Sequence, residues 1–252
     1  MKKIPVALQM YTLRNEAEKD FLGTLKKVAD LGYEGVELAG YGGLSVKELK
    51  DLLDKLNLRA VSSHISLSEL RSNVDQVIED QLALDSTYIV CPYLPPEERT
   101  EDDYFRLIDD LNSIGAKCFE AGITLCYHHH DFELMTLSNG KTALETILTE
   151  TNPHTVKAEF DIYWLTYAGE NPVEWLKRYQ GRTPLVHLKD MTTDGERFFA
   201  ELGSGGLDLE PILEFGMHSD VDWWIVEQDD SKIPPIESVR KSLEYLRHNE
   251  VR

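Results

Sequence analysis

One pattern constrains this chain more than any other: a short apolar run followed by a longer, charged, amphipathic run, repeated eight times over 252 residues. The apolar runs read as strands at 4–10, 35–38, 59–63, 88–91, 123–128, 156–160, 185–188 and 223–227. Between and after them, helical periodicity covers 20–31, 45–56, 68–84, 101–121, 141–150, 172–179, 209–215 and 235–248. Start and stop signals fall where these segments need them. Ser45 stands before Val46-Lys47-Glu48, Ser66 before Leu67-Ser68-Glu69, and Glu120-Ala121-Gly122 ends a long helix with glycine.

Strict βα alternation calls for a parallel sheet, and eight such units in about 250 residues fit a closed barrel better than an open sheet. The expected fold is therefore α/β, a (β/α)8 TIM barrel, in a single domain spanning 1–252. No Gly-x-Gly-x-x-Gly follows the first strand, which speaks against a dinucleotide fold. Gly203-Ser204-Gly205-Gly206 has the composition of a phosphate cradle, but it precedes a short helix as a connecting loop would.

In such a barrel the chemistry sits where strands end and loops begin. The first strand offers Gln9 and Tyr11 on one face, the second Glu37, the third His64. The fifth runs into Cys126-Tyr127-His128-His129-His130-Asp131-Phe132-Glu133, where period-two alternation puts His128 and His130 on one face and His129 on the other. The sixth ends in Glu159-Phe160-Asp161, the seventh in His187-Leu188-Lys189-Asp190, and the eighth in Glu227-Gln228-Asp229. A lone buried histidine is usually hydrogen-bonded core, and a lone terminal aspartate is usually a cap. Several of both at one barrel mouth need a cation or a complete hydrogen-bond network. Mixed imidazole and carboxylate ligation suits one divalent ion such as Mn2+, Co2+, Zn2+, Mg2+ or Fe2+.

Forty-five acidic against 26 basic residues give a formal net charge of −19, which opposes nucleic acid and anionic membrane surfaces as partners. No segment approaches the roughly 18 apolar residues of a membrane span. The opening Met1-Lys2-Lys3-Ile4-Pro5-Val6 lacks a signal-peptide pattern, and Cys91, Cys118 and Cys126 are too scattered for a disulfide framework. These features point to a cytoplasmic protein. Trp175, Trp223 and Trp224 read as core before they read as the surface of a homo-oligomer.

The strand-end motifs resemble the xylose isomerase-like barrel superfamily, which holds sugar phosphate isomerases/epimerases, inosose isomerases and dehydratases, and endonuclease IV. The resemblance is carried by Tyr127-His128-His129-His130-Asp131-Phe132-Glu133, Glu159-Phe160-Asp161-Ile162-Tyr163-Trp164, His187-Leu188-Lys189-Asp190 and Leu202-Gly203-Ser204-Gly205. It implies a metal held by Asp161, His187 and Glu227. At the family's fourth ligand, a glutamate on strand five, this chain has His128, so either His128 ligates or Glu133 folds back to replace it. The pattern resembles the inosose dehydratase-like branch.

The implied activity is proton abstraction α to a carbonyl of a sugar, keto-sugar or cyclic polyol, giving isomerisation, epimerisation or β-elimination. Base candidates are Glu227, Glu133, Glu159 and His130, with Lys189 placed to stabilise an oxyanion; Gln9, Glu37, His64 and Trp164 are expected to wall the substrate pocket. A non-catalytic sugar-binding barrel is the alternative from another class, and an abasic-site nuclease is opposed by the charge.

Overall fold

A parallel strand buried on both faces needs helices outside and its own side chains inside. The computed structural model, which describes residues 2–249, meets this with a closed eight-stranded barrel. Its strands are β1 (Val6–Gln9), β2 (Gly35–Leu38), β3 (Arg59–His64), β4 (Tyr88–Cys91), β5 (Thr124–His128), β6 (Val156–Asp161), β7 (Leu185–Leu188) and β10 (Trp223–Val226), all parallel. β1 closes the ring by pairing with both β2 and β10. A small antiparallel hairpin, β8 (Asp190–Met191) with β9 (Phe199–Ala200), rises from the end of β7.

The helices are α1 (Arg14–Lys19), α2 (Phe21–Leu31), α3 (Val46–Leu56), α4 (Leu67–Ala83), α5 (Glu101–Glu120), α6 (Ala143–Glu150), α7 (Ile162–Tyr167), α8 (Pro172–Arg178), α9 (Glu210–Met217) and α10 (Pro235–Asn249). The expected caps form. Ser45 and Glu48 make a reciprocal capping box on α3, and Ser66 Oγ accepts from the Glu69 N–H on α4. Each cap contributes about 1 kcal/mol. Gly32 and Gly122 adopt φ of 95° and 82°, the left-handed turn after a helix that other residues enter at a cost.

Two elements replace expected loop or strand for a local reason. The Gln9 carboxamide accepts from the Tyr11 N–H at 2.9 Å, which ends β1 early and starts a 3-10 turn over Met10–Leu13. At the end of β6, Asp161 Oδ1 accepts from the N–H groups of Tyr163 and Trp164 and so launches α7 directly from the strand.

Alternation along the strands divides the core in two. Trp224, Val226, Leu8, Ile89 and Phe160 face outward into the helix layer, whereas Ala7, Val61, Tyr88, Val90, Cys126, Leu185, Trp223 and Ile225 fill the lower barrel interior. All three tryptophans named from the sequence are buried, and Trp223 and Trp224 take opposite faces as alternation requires.

The β2–β3 register shifts by one residue: Val36 pairs with Ala60, but Glu37 pairs with Ser62. This bulge leaves Val61 and Ser62 both pointing inward, turns Ser63 out to Gln81 of α4, and brings His64 in again.

Gly35 shows how tightly the lower interior is filled. A Cβ there would lie 2.7 Å from Val61 Cγ2, 2.9 Å from the Arg59 carbonyl oxygen and 3.2 Å from the Trp223 ring. Because one of these atoms is backbone, Gly35→Ala is expected to destabilise the fold by about 1–3 kcal/mol. A denaturant midpoint equal to wild type would refute this packing account.

Candidate functional site

Above the apolar interior the barrel turns polar. Glu37 on β2 accepts from Gln9 Nε2 at 2.7 Å and Ser62 Oγ at 2.6 Å, and its Oε1 lies 2.7 Å from His187 Nε2 and 3.0 Å from His64 Nε2. Glu159 Oε2 on β6 lies 3.0 Å from the same His64 nitrogen, 3.2 Å from His187 Nε2 and 3.3 Å from His128 Nδ1. Two carboxylates thus alternate with two imidazoles whose rings stack 5.6 Å apart. Burial alone would raise Glu37, but His64 and His187 outweigh it and hold the carboxyl well below its usual range. The same charges work on the histidines in reverse. Burial opposes protonation, yet Glu37 and Glu159 raise His64 to about 9, and Glu159, Glu227 and Glu37 raise His187 well above the usual imidazole value.

His187 links this floor to a second cluster. With Nε2–H directed at Glu37, its Nδ1 lies 2.8 Å from Glu227 Oε2 and 3.9 Å from Asp161 Oδ2. A lone pair facing two carboxylate oxygens is repulsive unless a proton or cation lies among them. His128, Asp161, His187 and Glu227 each bring one ligand atom to within 4.8 Å of the others, and all four residues are buried. Asp161 Oδ1 is used in capping α7, while Asp161 Oδ2 and His128 Nδ1 are buried without a hydrogen-bond partner. Two imidazoles and two carboxylates at this spacing fit a divalent ion by donor type and by charge.

Lys189, buried on the segment between β7 and β8, neutralises part of this charge. Its Nζ donates to Asp229 Oδ2 at 2.7 Å and makes ion-pair contacts with Glu227 Oε2 at 2.6 Å and Asp161 Oδ2 at 2.9 Å. Glu227 is held ionised: burial works against that, and Lys189 and His187 overcome it.

The cluster opens into a cavity of about 440 Å³, lined by His64, His128, His130, Glu227 and Asp229, with Tyr11 and Tyr93 at its sides. His128 and His130 therefore share the face that alternation assigned them. His129 turns away, its Nε2 accepting from the Asp161 N–H at 3.2 Å, and so ties β5 to the strand that carries the aspartate. Trp164, expected on the pocket wall, packs behind it, 5.5 Å from His130 ring centre to ring centre, and is not among the residues that line the cavity.

Not every residue expected at the pocket reaches it. Gln9, Glu37 and Glu159 are fully buried and form the floor beneath the cavity instead of its wall, because each is taken up by neighbouring strands. Glu133 does not join the ligand cluster. Its carboxylate accepts from Tyr127 OH at 2.7 Å and from the His130 N–H at 2.8 Å, so the strand-five member of the cluster is His128. The glycines after β9 do cradle an anion, but it is the Asp190 side chain, which accepts from the N–H groups of Gly203, Gly205 and Leu207 at 3.0 Å each. Ser62, Tyr93 and Asp229 are site residues that sequence reasoning missed. Asp229 was within reach, since it lies two positions beyond Glu227 at the same strand end.

Burial raises Glu133 to about 7 against the pull of its Tyr127 and His130 hydrogen bonds. The folded value lies above the unfolded one, so the stability this proton contributes is present below about pH 4.5 and is lost as pH rises through about 7. The loss is on the order of 3 kcal/mol. Glu133→Gln, a permanently neutral isostere, should flatten that part of the stability profile between pH 5 and 8 in denaturant titrations; parallel profiles for both proteins would refute the assignment.

The family described as xylose isomerase-like TIM barrel matches residues 25–249. An inosose dehydratase of Clostridium botulinum is 26% identical over 270 residues, covering 91% of this chain and 90% of that protein. The inosose dehydratase of Lacticaseibacillus casei is 26% identical over 269 residues, with 91% and 89% covered. Among solved structures, a sugar phosphate isomerase/epimerase from Parabacteroides distasonis superposes with a TM-score of 0.83 at 26% identity, over 98% of this chain and 94% of the other. With a closed parallel barrel and an imidazole–carboxylate cluster at its mouth, the chain belongs to the xylose isomerase-like TIM barrel family.

Proposed function

We propose that this protein is a metal-dependent isomerase or epimerase of a sugar, keto-sugar or cyclic polyol, acting by proton abstraction α to a carbonyl. The observation that carries the reading is the position of Glu227, which belongs to the four-residue ligand cluster and also lines the cavity. His128, Asp161, His187 and Glu227 would hold one divalent ion, of the Mn2+, Co2+, Zn2+, Mg2+ or Fe2+ class. Such an ion polarises a carbonyl and stabilises the negative charge that develops when the neighbouring carbon loses its proton.

The chain's own groups divide the proton work. Glu227, held ionised by the positive charge beside it, faces the cavity as the base. His64, raised to about 9 by the floor carboxylates, faces the same cavity carrying a proton and serves as the acid. Environments that push two groups apart in this way assign the donor and acceptor roles. Glu37 and Glu159 position His64 and His187 and do not touch substrate. His130 stands on the wall as a neutral imidazole, because burial and the Lys189 charge push its pKa well down. Its Nδ1 and the Nε1 of Trp164 are both buried without partners, and a sugar hydroxyl can satisfy an acceptor and a donor of this kind.

A second reading is dehydration of an inosose or 3-keto-sugar, favoured by the inosose dehydratase relatives, which align over nine-tenths of the chain. It uses the same first step, with His64 protonating a departing hydroxyl. No helix among the described residues is long and apolar enough to cross a membrane, and the three buried free cysteines suit the reducing cytoplasm in which we place the protein.

Protein purified without chelator should contain about one divalent ion per chain. Asp161→Ala and His187→Ala should each lose it by elemental analysis, and unchanged metal content in both would remove these residues from the ligand set.

Glu227→Gln should lower turnover by roughly 10²-fold or more, as expected for loss of a positioned base. With an inosose or a 2-keto sugar in deuterated water, the wild-type enzyme should place solvent deuterium beside the carbonyl. A product lighter by one water marks the dehydratase. Intact transfer of substrate deuterium between two carbons would instead establish a hydride shift and overturn the mechanism.

A further inference from the structure

We propose that Lys189 is the resident counter-cation of the ligand cluster, which a divalent ion must displace from Asp161 and Glu227. The inference rests on the divalent-ion reading above. Asp161 has one oxygen free of the α7 cap, Oδ2, and the Glu227 oxygen that faces His187 is Oε2. These two atoms are the ones Lys189 Nζ approaches, at 2.9 Å and 2.6 Å. An ammonium and a divalent ion cannot both neutralise the same oxygens at full strength, since their charges repel at that range.

The geometry shows which contacts the lysine gives up. Its ammonium donates to Asp229 and also pairs with Asp161 and Glu227, the two acids of the ligand cluster. Lys189 thus has in Asp229 a carboxylate partner outside the ligand set. When a divalent ion takes the two inner oxygens, the ammonium keeps Asp229, a residue of the cavity wall. The lysine therefore weakens metal binding and, when no metal is bound, spares the barrel an uncompensated pair of buried carboxylates.

This account predicts the opposite sign from an ordinary supporting residue. Removing a group that orients metal ligands usually lowers metal affinity by 10- to 100-fold. Lys189→Met should instead raise the affinity of the full chain for Mn2+, by about tenfold or more in competition with a chromophoric chelator. Lys189→Arg keeps the charge and should not gain affinity. In thermal melts, chelator should destabilise Lys189→Met more than the wild type, with Mn2+ restoring it. If Lys189→Met does not fold without metal, Lys189→Met with Asp229→Asn removes one acid along with the cation and should still bind Mn2+ more tightly than wild type. Equal or weaker Mn2+ binding by the folded variants overturns the counter-cation role while leaving the metal site standing. Failure of the wild type itself to bind Mn2+ or any other divalent ion overturns the metal site on which the inference rests.

Discussion

Carboxylates buried in a closed barrel mouth set the terms for everything around them. Glu37, Glu159, Asp161 and Glu227 are almost wholly removed from water, and an ionised carboxylate so placed is tolerated only beside charge or several donors. The surrounding residues answer that demand one by one. Gln9 and Ser62 donate to Glu37, His64 and His187 lie between Glu37 and Glu159, and Lys189 closes on Asp161 and Glu227. The apolar filling of the barrel is confined to its lower half for the same reason.

His187 joins the two halves of this arrangement because an imidazole has two nitrogens with separate roles. The floor engages Nε2 through Glu37 and Glu159, which orients Nδ1 toward Asp161 and Glu227. A reactive upper cluster therefore stands on a polar lower one. The floor residues act on chemistry through direction and charge, without meeting the substrate.

Much of this was legible in the sequence. Eight apolar runs, their caps and the glycine stops mark out the barrel because period two and period 3.6 are local properties of the chain. His128, Asp161, His187 and Glu227 were legible as strand ends because a barrel gathers all its strand ends at one face. What escaped depends on relations between strands. Nothing local to Gln9 or Glu37 says that their partners lie one strand away and leave them beneath the cavity. Glu133 has the right chemistry at the right distance along the chain, but the Tyr127 hydroxyl and the His130 amide claim it first. The Gly203 to Gly206 segment does bind an anion, and only the folded chain shows that Asp190 supplies it.

The bulge in β3 reaches beyond geometry into how such a site can arise. Side-chain direction along a strand is a parity, and a bulge breaks the count by setting two consecutive residues, Val61 and Ser62, on one face. Beyond them Ser63 points out to α4 and His64 into the barrel. A single-codon insertion absorbed as a bulge in a strand of this kind can thus add one inward side chain to a reaction chamber in one mutational event, leaving the residues after it on their own faces. Loss of the extra residue withdraws that one side chain and leaves Ser63 and His64 facing as they do, so related barrels can gain or shed a single pocket group by a frame of one residue while their helices and their closure stay the same.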